Sequence, residues 1–146
     1  MTGRVNHAWV DERAAPLYVW RLPASPSTAE IEEALHAIQR WVKTLDGPYG
    51  WINDPRGLRV RVLATHRALL GEHLRVVGPE ALRWCAGMGT IVSSPTIRGV
   101  GTAVGWITPY TFPTKWCGSL AEAWPWVRER LEERGVHGVP ERPPGA

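Results

Sequence analysis

Apolar residues follow two rhythms along this chain, alternation over short stretches and a three-to-four spacing over longer ones, and the switches between them mark strands and helices. Residues 5–10 and 17–22 are short stretches rich in Val, Trp, Tyr and Leu, separated by a charged, proline-containing turn, and they predict a β-hairpin. Beyond a breaker at 23–26, Ser27 with Glu30 three residues on forms a capping box. Ile31, Leu35, Ile38, Val42 and Leu45 then recur at helical spacing until Asp46-Gly47 ends the pattern. Residues 49–53 (YGWIN) predict a strand, stopped by Asp54-Pro55-Arg56-Gly57. Helical spacing returns with Val62 and Leu69 on one row and Leu63, Leu70, Leu74 and Val77 on the next. Gly78-Pro79 is expected to interrupt that helix, with a short one following over 79–85, because Pro suits a first helical turn and Glu80 the positive helix start. Residues 88–92 predict a buried strand.

The second half repeats the alternation. Ser93-Ser94-Pro95-Thr96 is a helix start, and Ile97, Val100, Val104 and Ile107 share one face of the helix it opens. Gly99, Gly101 and Gly105 on that helix each cost about 1 kcal/mol relative to Ala, which implies a closely packed neighbouring backbone. Pro109 ends it, a loop at 110–113 leads to a strand at 114–117, and Gly118-Ser119 opens a closing helix with Leu120, Ala123, Trp124, Val127 and Leu131 inward. The Gly/Pro-rich residues 135–146 predict a disordered tail behind one domain over 1–134. The order is ββαβαβαβα, with the short helix at 79–85 counted into its predecessor. Strands alternating with helices predict an α/β domain of two or three layers, its sheet mostly parallel with an antiparallel first strand at one edge.

Composition narrows the class. At 146 residues, with 44% hydrophobic, 21% charged and two cysteines, the chain has enough length for one core without disulfide or metal staples. Collagen, coiled-coil, disordered and disulfide-framework classes are excluded. No stretch reaches the roughly 18 apolar residues of a membrane span, and the first residues lack the apolar stretch of a signal peptide, so a cytoplasmic location is expected. The net charge is +3, and its basic side chains are arginines apart from Lys43 and Lys115. Between 56 and 83, six arginines (56, 59, 61, 67, 75 and 83) face Glu72 and Glu80, a local excess of about +4 that would attract an acidic partner. Nucleic acid is not the expected partner, since no recognised binding module accompanies the arginines.

The order of elements and three segments, YGWIND (49–54), MGTIVSSPTIRGVGTAVGWITP (88–109) and WCGSLAEAWPWVRERL (116–131), resemble STAS-type domains, the sulfate-transporter and anti-sigma-factor-antagonist family, in their bacterial STAS/CRAL-TRIO-like branch. The resemblance spans about residues 5–134 and rests on patterns, not on a signature motif. In signalling members of that family a Ser or Thr of the loop after the third strand, at the start of the next helix, is phosphorylated by a partner kinase. Here Asp54 matches the family's acidic position but Pro55 stands where the hydroxyl belongs, so the resemblance implies a docking surface at Asp54 and Arg56 without a phosphorylation switch.

Ligands of open α/β sheets sit outside the carboxyl ends of parallel strands. There the chain carries Asp54 and Arg56, then Ser93, Ser94, Thr96 and Arg98, then Gly118 and Ser119. Ser93, Ser94, Thr96 and Arg98 are candidate ligand-binding residues, with helix N–H groups suited to an anion; the simpler reading makes the serines helix caps and Asp54 a turn closer. Cys85 and Cys117 lack zinc-site spacing and are expected to be buried thiols, and no metal or cofactor is implied. The histidines (7, 36, 66, 73 and 137) offer neither cysteine a placed base.

Nine tryptophans beside one Phe is the unusual feature of the composition. Trp9, Trp20, Trp51 and Trp84 are expected in the core. Trp106, Tyr110, Phe112 and Trp116 cluster around a proline-containing loop, forming either a protein-docking patch, a mouth for a hydrophobic ligand, or a cover for the open end of the sheet. The leading expectation is a non-enzymatic, STAS-like interaction or regulatory module working through a protein partner or as a homodimer. The alternative, implied by the CRAL-TRIO likeness, is a carrier or sensor of a lipid or other small apolar ligand, and it requires an internal cavity.

Overall fold

The computed structural model describes residues 3–60, 64–92 and 112–145. The helix expected from Ser93 to Ile107, with Ser93, Ser94, Thr96, Arg98, Trp106 and Tyr110, lies outside the described residues, as do Val62 and Leu63. Five strands form one sheet in the order of the chain: β1 (Val10–Asp11), β2 (Leu17–Arg21), β3 (Tyr49–Asp54), β4 (Cys85–Ile91) and β5 (Thr114–Cys117). β1 pairs antiparallel with β2 and the other pairings are parallel, so the mixed sheet carries its antiparallel strand at one edge, as the alternation predicts. Three helices pack on it: α1 (Thr28–Val42), α2 (Ala64–Trp84) and α3 (Leu120–Glu133).

Alternating strand residues divide the interior in two. Tyr18, Trp20, Tyr49 and Trp51 face α1 and α2 with Ile38, Trp41, Val77 and Ala81. Leu17, Val19, Ile52 and Ile91 face α3 with Ala123, Trp124, Val127 and Leu131. The sheet is therefore the middle layer of three.

The helix starts are local and legible. Ser27 Oγ accepts from the Glu30 N–H at 3.1 Å and the Glu30 carboxylate accepts from the Ser27 N–H at 2.9 Å, a complete capping box. Ser119 Oγ likewise accepts from the Glu122 N–H at 3.2 Å to start α3.

Three expectations are corrected. The first strand is two residues long, not six, because the Glu12 carboxylate accepts the N–H groups of Val5 and Asn6 (2.5 and 3.2 Å) and Asn6 turns left-handed at φ 55°. α2 is not broken at Gly78-Pro79 but runs through Pro79 to Trp84. Val77 and Ala81, on either side of the proline, are both buried, and this packing outweighs the roughly 3 kcal/mol that an internal Pro costs a helix. The tail is packed, not disordered. Gly135 (φ 83°) ends α3 in a Schellman turn, its N–H donating to Glu132 O and that of Val136 to Leu131 O. Val139 is then buried against α3, Trp124 Nε1 donates to Pro140 O at 2.8 Å and Arg128 Nε to Val139 O at 2.8 Å.

Candidate functional site

On the face covered by α1 and α2, neighbouring strands present rings side by side. Trp41 of α1 meets three of them, with centroids 4.8 Å from Tyr18, 5.0 Å from Tyr49 and 5.6 Å from Trp51, while Trp20 stands 6.4 Å from Trp51. α2 faces the cavity with Leu70, His73 and Leu74 and, toward its C-terminal end, with the smaller Val77, Gly78 and Ala81. The layer is left hollow: a cavity of about 410 Å³ lies there, within the size range of small-molecule sites, roughly 300–1,000 Å³. Among the described residues its wall is continued at the far edge of the sheet by Met88, Thr90, Phe112 and Trp116. A separate cavity of about 60 Å³ lies between Trp20, Ile31, Leu58 and His66.

Few polar groups reach the larger cavity, and most are already engaged. Trp51 Nε1 donates to Asn53 Oδ1 at 2.8 Å, and Asn53 Nδ2 donates to Thr90 Oγ1 at 3.2 Å. His73 Nδ1 lies 3.2 Å from Gln39 Nε2. Burial, reinforced by His36, lowers the His73 pKa to about 4, so the imidazole is neutral at neutral pH. Lys115 is 3.7 Å from Glu122. Trp20 lines both cavities, while its Nε1 is enclosed away from accessible space and has no hydrogen-bond partner.

The expected site residues divide. Asp54 and Arg56 form an ion pair in which the carboxylate is buried and the guanidinium is exposed. Arg56 grips Asp54 in a two-pronged pair (Nε to Oδ1 and Nη2 to Oδ2, both 2.8 Å), and Arg21 approaches at 3.9 Å. Burial alone would raise the Asp54 pKa, but the Arg56 hydrogen bonds and the two guanidinium charges outweigh it and hold the carboxyl below its ordinary value. Phe112 and Trp116 come together in the cavity wall, half-buried. The arginine-rich stretch is engaged locally as well: Arg59 Nη1 donates to Arg56 O, Arg75 pairs with Glu72, and Arg83 lies 4.7 Å over the Trp84 ring.

Cys85 and Cys117 are buried free thiols, and burial pushes the Cys85 pKa up to about 12, which keeps it protonated and inert. Among the described residues no group of three or more His, Cys, Asp or Glu side chains is placed to hold a metal, and no helix is long and apolar enough to cross a membrane.

Sequence reasoning placed Trp20 and Trp51 in the core, where they are, but not in a cavity wall. It missed Trp41 and His73 as wall residues. The available signal was the spacing, since Trp41 follows Ile38 by three on the buried face of α1, and His73 precedes Val77 by four on that of α2. Compared with known proteins, the chain matches no family model, no curated protein and no solved structure.

Proposed function

We propose that this chain is a non-enzymatic carrier or sensor of a small, largely apolar molecule, held in the cavity between the sheet and α1/α2. The observation that carries the reading is the 410 Å³ cavity walled by rings, with a few polar groups at fixed positions. The competing reading, a module acting through protein contacts, needs Phe112 and Trp116 on a free surface, and their half-buried place in the cavity wall favours a ligand instead. The STAS-like assignment is likewise a proposal. It is supported by the mixed sheet with its antiparallel strand at the edge, while Pro55 in place of the phospho-acceptor departs from the family pattern.

Native mass spectrometry of the chain purified without detergent tests the reading. A bound mass of a few hundred daltons, lost on denaturation, is the expected result. A bare chain in every preparation, with no thermal shift from a panel of apolar metabolites, would overturn it.

A further inference from the structure

We propose that the bound molecule is an uncharged carbonyl compound whose oxygen accepts from the hydroxyl of Thr90 while its apolar body lies among the neighbouring rings. This ligand chemistry rests on the cavity reading above. Strand register places the polar group in the middle of the wall. Trp20, Asn53, Thr90 and Trp116 are successive partners across β2, β3, β4 and β5, so their side chains share one face of the sheet, and all four line the cavity. The outer two members of that row are indoles and the inner two are polar.

The hydrogen bonds of the inner pair run in one direction. An indole nitrogen only donates, so Trp51 Nε1, 2.8 Å from the Asn53 side-chain oxygen, fixes which end of that amide accepts. Asn53 Nδ2 then donates to Thr90 Oγ1 at 3.2 Å, and Thr90 takes part as the acceptor. A hydroxyl also carries a hydrogen of its own, and among the described residues that of Thr90 meets no acceptor. Thr90 is half-buried, with its backbone laddered to β3 and β5 and its side chain on the cavity face, so the hydrogen that ends the relay is offered to a guest. Thr114, the other hydroxyl of the wall, is exposed on the edge strand, where water can serve it.

Charge decides what kind of acceptor fits. Lys115, the cation among the described wall residues, is paired with Glu122, and His73 is neutral at neutral pH. A carboxylate would therefore meet the Asp54 carboxylate in the same wall and no uncommitted cation, whereas a neutral carbonyl oxygen needs only the one donor. The rings on either side reward a planar frame beside that oxygen with contacts beyond the area buried.

α-Tetralone and tetralin share a fused two-ring frame and differ in one carbonyl oxygen, which makes them the probes. With the full chain at neutral pH, titrations followed by ligand-detected NMR give both affinities, and their ratio isolates the carbonyl. Thr90→Val puts a methyl where the hydroxyl stood and is expected to lower the ratio of α-tetralone to tetralin affinity roughly five- to tenfold, through α-tetralone alone. Thr90→Ser returns the hydroxyl and is expected to recover the ratio. Should Thr90→Val not fold, the carbonyl stretch of α-tetralone bound to the unaltered chain makes the same test: it is expected below its frequency in an alkane solvent, and a stretch at the alkane value overturns the inference. A ratio that Thr90→Val leaves unchanged, or an unaltered chain that binds tetralin and refuses α-tetralone, overturns the carbonyl inference while leaving the cavity reading standing. Binding of neither probe by the unaltered chain overturns both.

Discussion

The two faces of the sheet are packed by opposite means. Toward α3 the strands withdraw their side chains: a Cβ added at Gly50 would overlap Val127 and lie 3.0 Å from Leu131 Cδ1, and one at Gly87 would lie 2.9 Å from Arg130 Cγ. Helix and sheet therefore meet closely, and Val127 and Leu131 are fully buried. Toward α1 and α2 the same strands put forward Tyr18, Trp20, Tyr49 and Trp51, and α1 adds Trp41. Among the described residues these rings border a cavity of about 410 Å³, where the other face is closely packed. Glycine on one face and tryptophan on the other thus divide one small sheet into a close-packed side and a side that borders a cavity.

The sharpest way to break that comparison is to give the solid face a side chain. Gly50→Leu drives four carbon atoms into Val127 and Leu131, and it is expected to cost about 3 kcal/mol, the upper end of overpacking penalties, read as a lower midpoint in urea unfolding. A loss below about 1 kcal/mol would show that α3 shifts freely and that the solid face is not rigid.

A smaller effect belongs to the hollow face, where both buried histidines, His66 and His73, reside. The folded protein keeps His73 neutral down to a pKa of about 4, against 6.5 when exposed, because of its burial and its neighbour His36. Above pH 6.5 both states are neutral and this group leaves stability unchanged. As pH falls from 6.5 toward 4 the unfolded chain takes a proton that the folded one refuses, so stability drops by an amount on the order of 2 kcal/mol. His73→Gln is expected to flatten that slope in denaturant titrations across the window; an unaltered slope would mean that His73 is not held neutral. The Asp11 carboxyl, held low by Arg13, loses its contribution only at more acidic pH, which keeps the two effects apart.

What the sequence revealed and what it hid follow the same division. The capping box at Ser27, the strands at Tyr49 and Thr114 and the inward residues of α3 are local or periodic features, and such features are legible from neighbours in the chain. The helix through Pro79 is not, because its continuity depends on tertiary burial of Val77 and Ala81, which no local propensity records. The tail was misread for a related reason: Gly135 looks like a disorder-promoting residue but serves as the left-handed end of α3, and the carbonyl of Pro140 receives the N–H of a tryptophan sixteen residues earlier. The candidate site was the least legible part. Trp20 and Trp51 are hydrophobic residues at strand spacing whether the space beside them is filled or empty, and which it is depends on residues distant in the chain, Val77, Gly78 and Ala81 among them. Asp54 shows the converse, since its place in the sequence marks a surface turn, while the exposed Arg56 two residues on folds over it and leaves the carboxylate buried.

The substitution with the least effect on stability separates the two faces most clearly. Ala81 is 4% exposed, and by burial alone it looks as intolerant of enlargement as Gly50. It nevertheless borders the cavity, so a larger side chain there has space to enter without displacing a neighbour. Overpacking is costly because a filled core forces side chains off their rotamers, and that cause is absent where about 410 Å³ is empty. Ala81→Phe is therefore expected to change stability by less than about 1 kcal/mol, because new ring contacts offset the strain of placing the ring. It should also remove the bound mass expected in native mass spectrometry of the unaltered chain, because the ring occupies the volume the guest needs. A variant that folds as well as the unaltered chain and still carries its adduct would place the ligand elsewhere. A variant as unstable as Gly50→Leu would show that the two faces are packed alike, and the hollow layer, with the reading built on it, would fall.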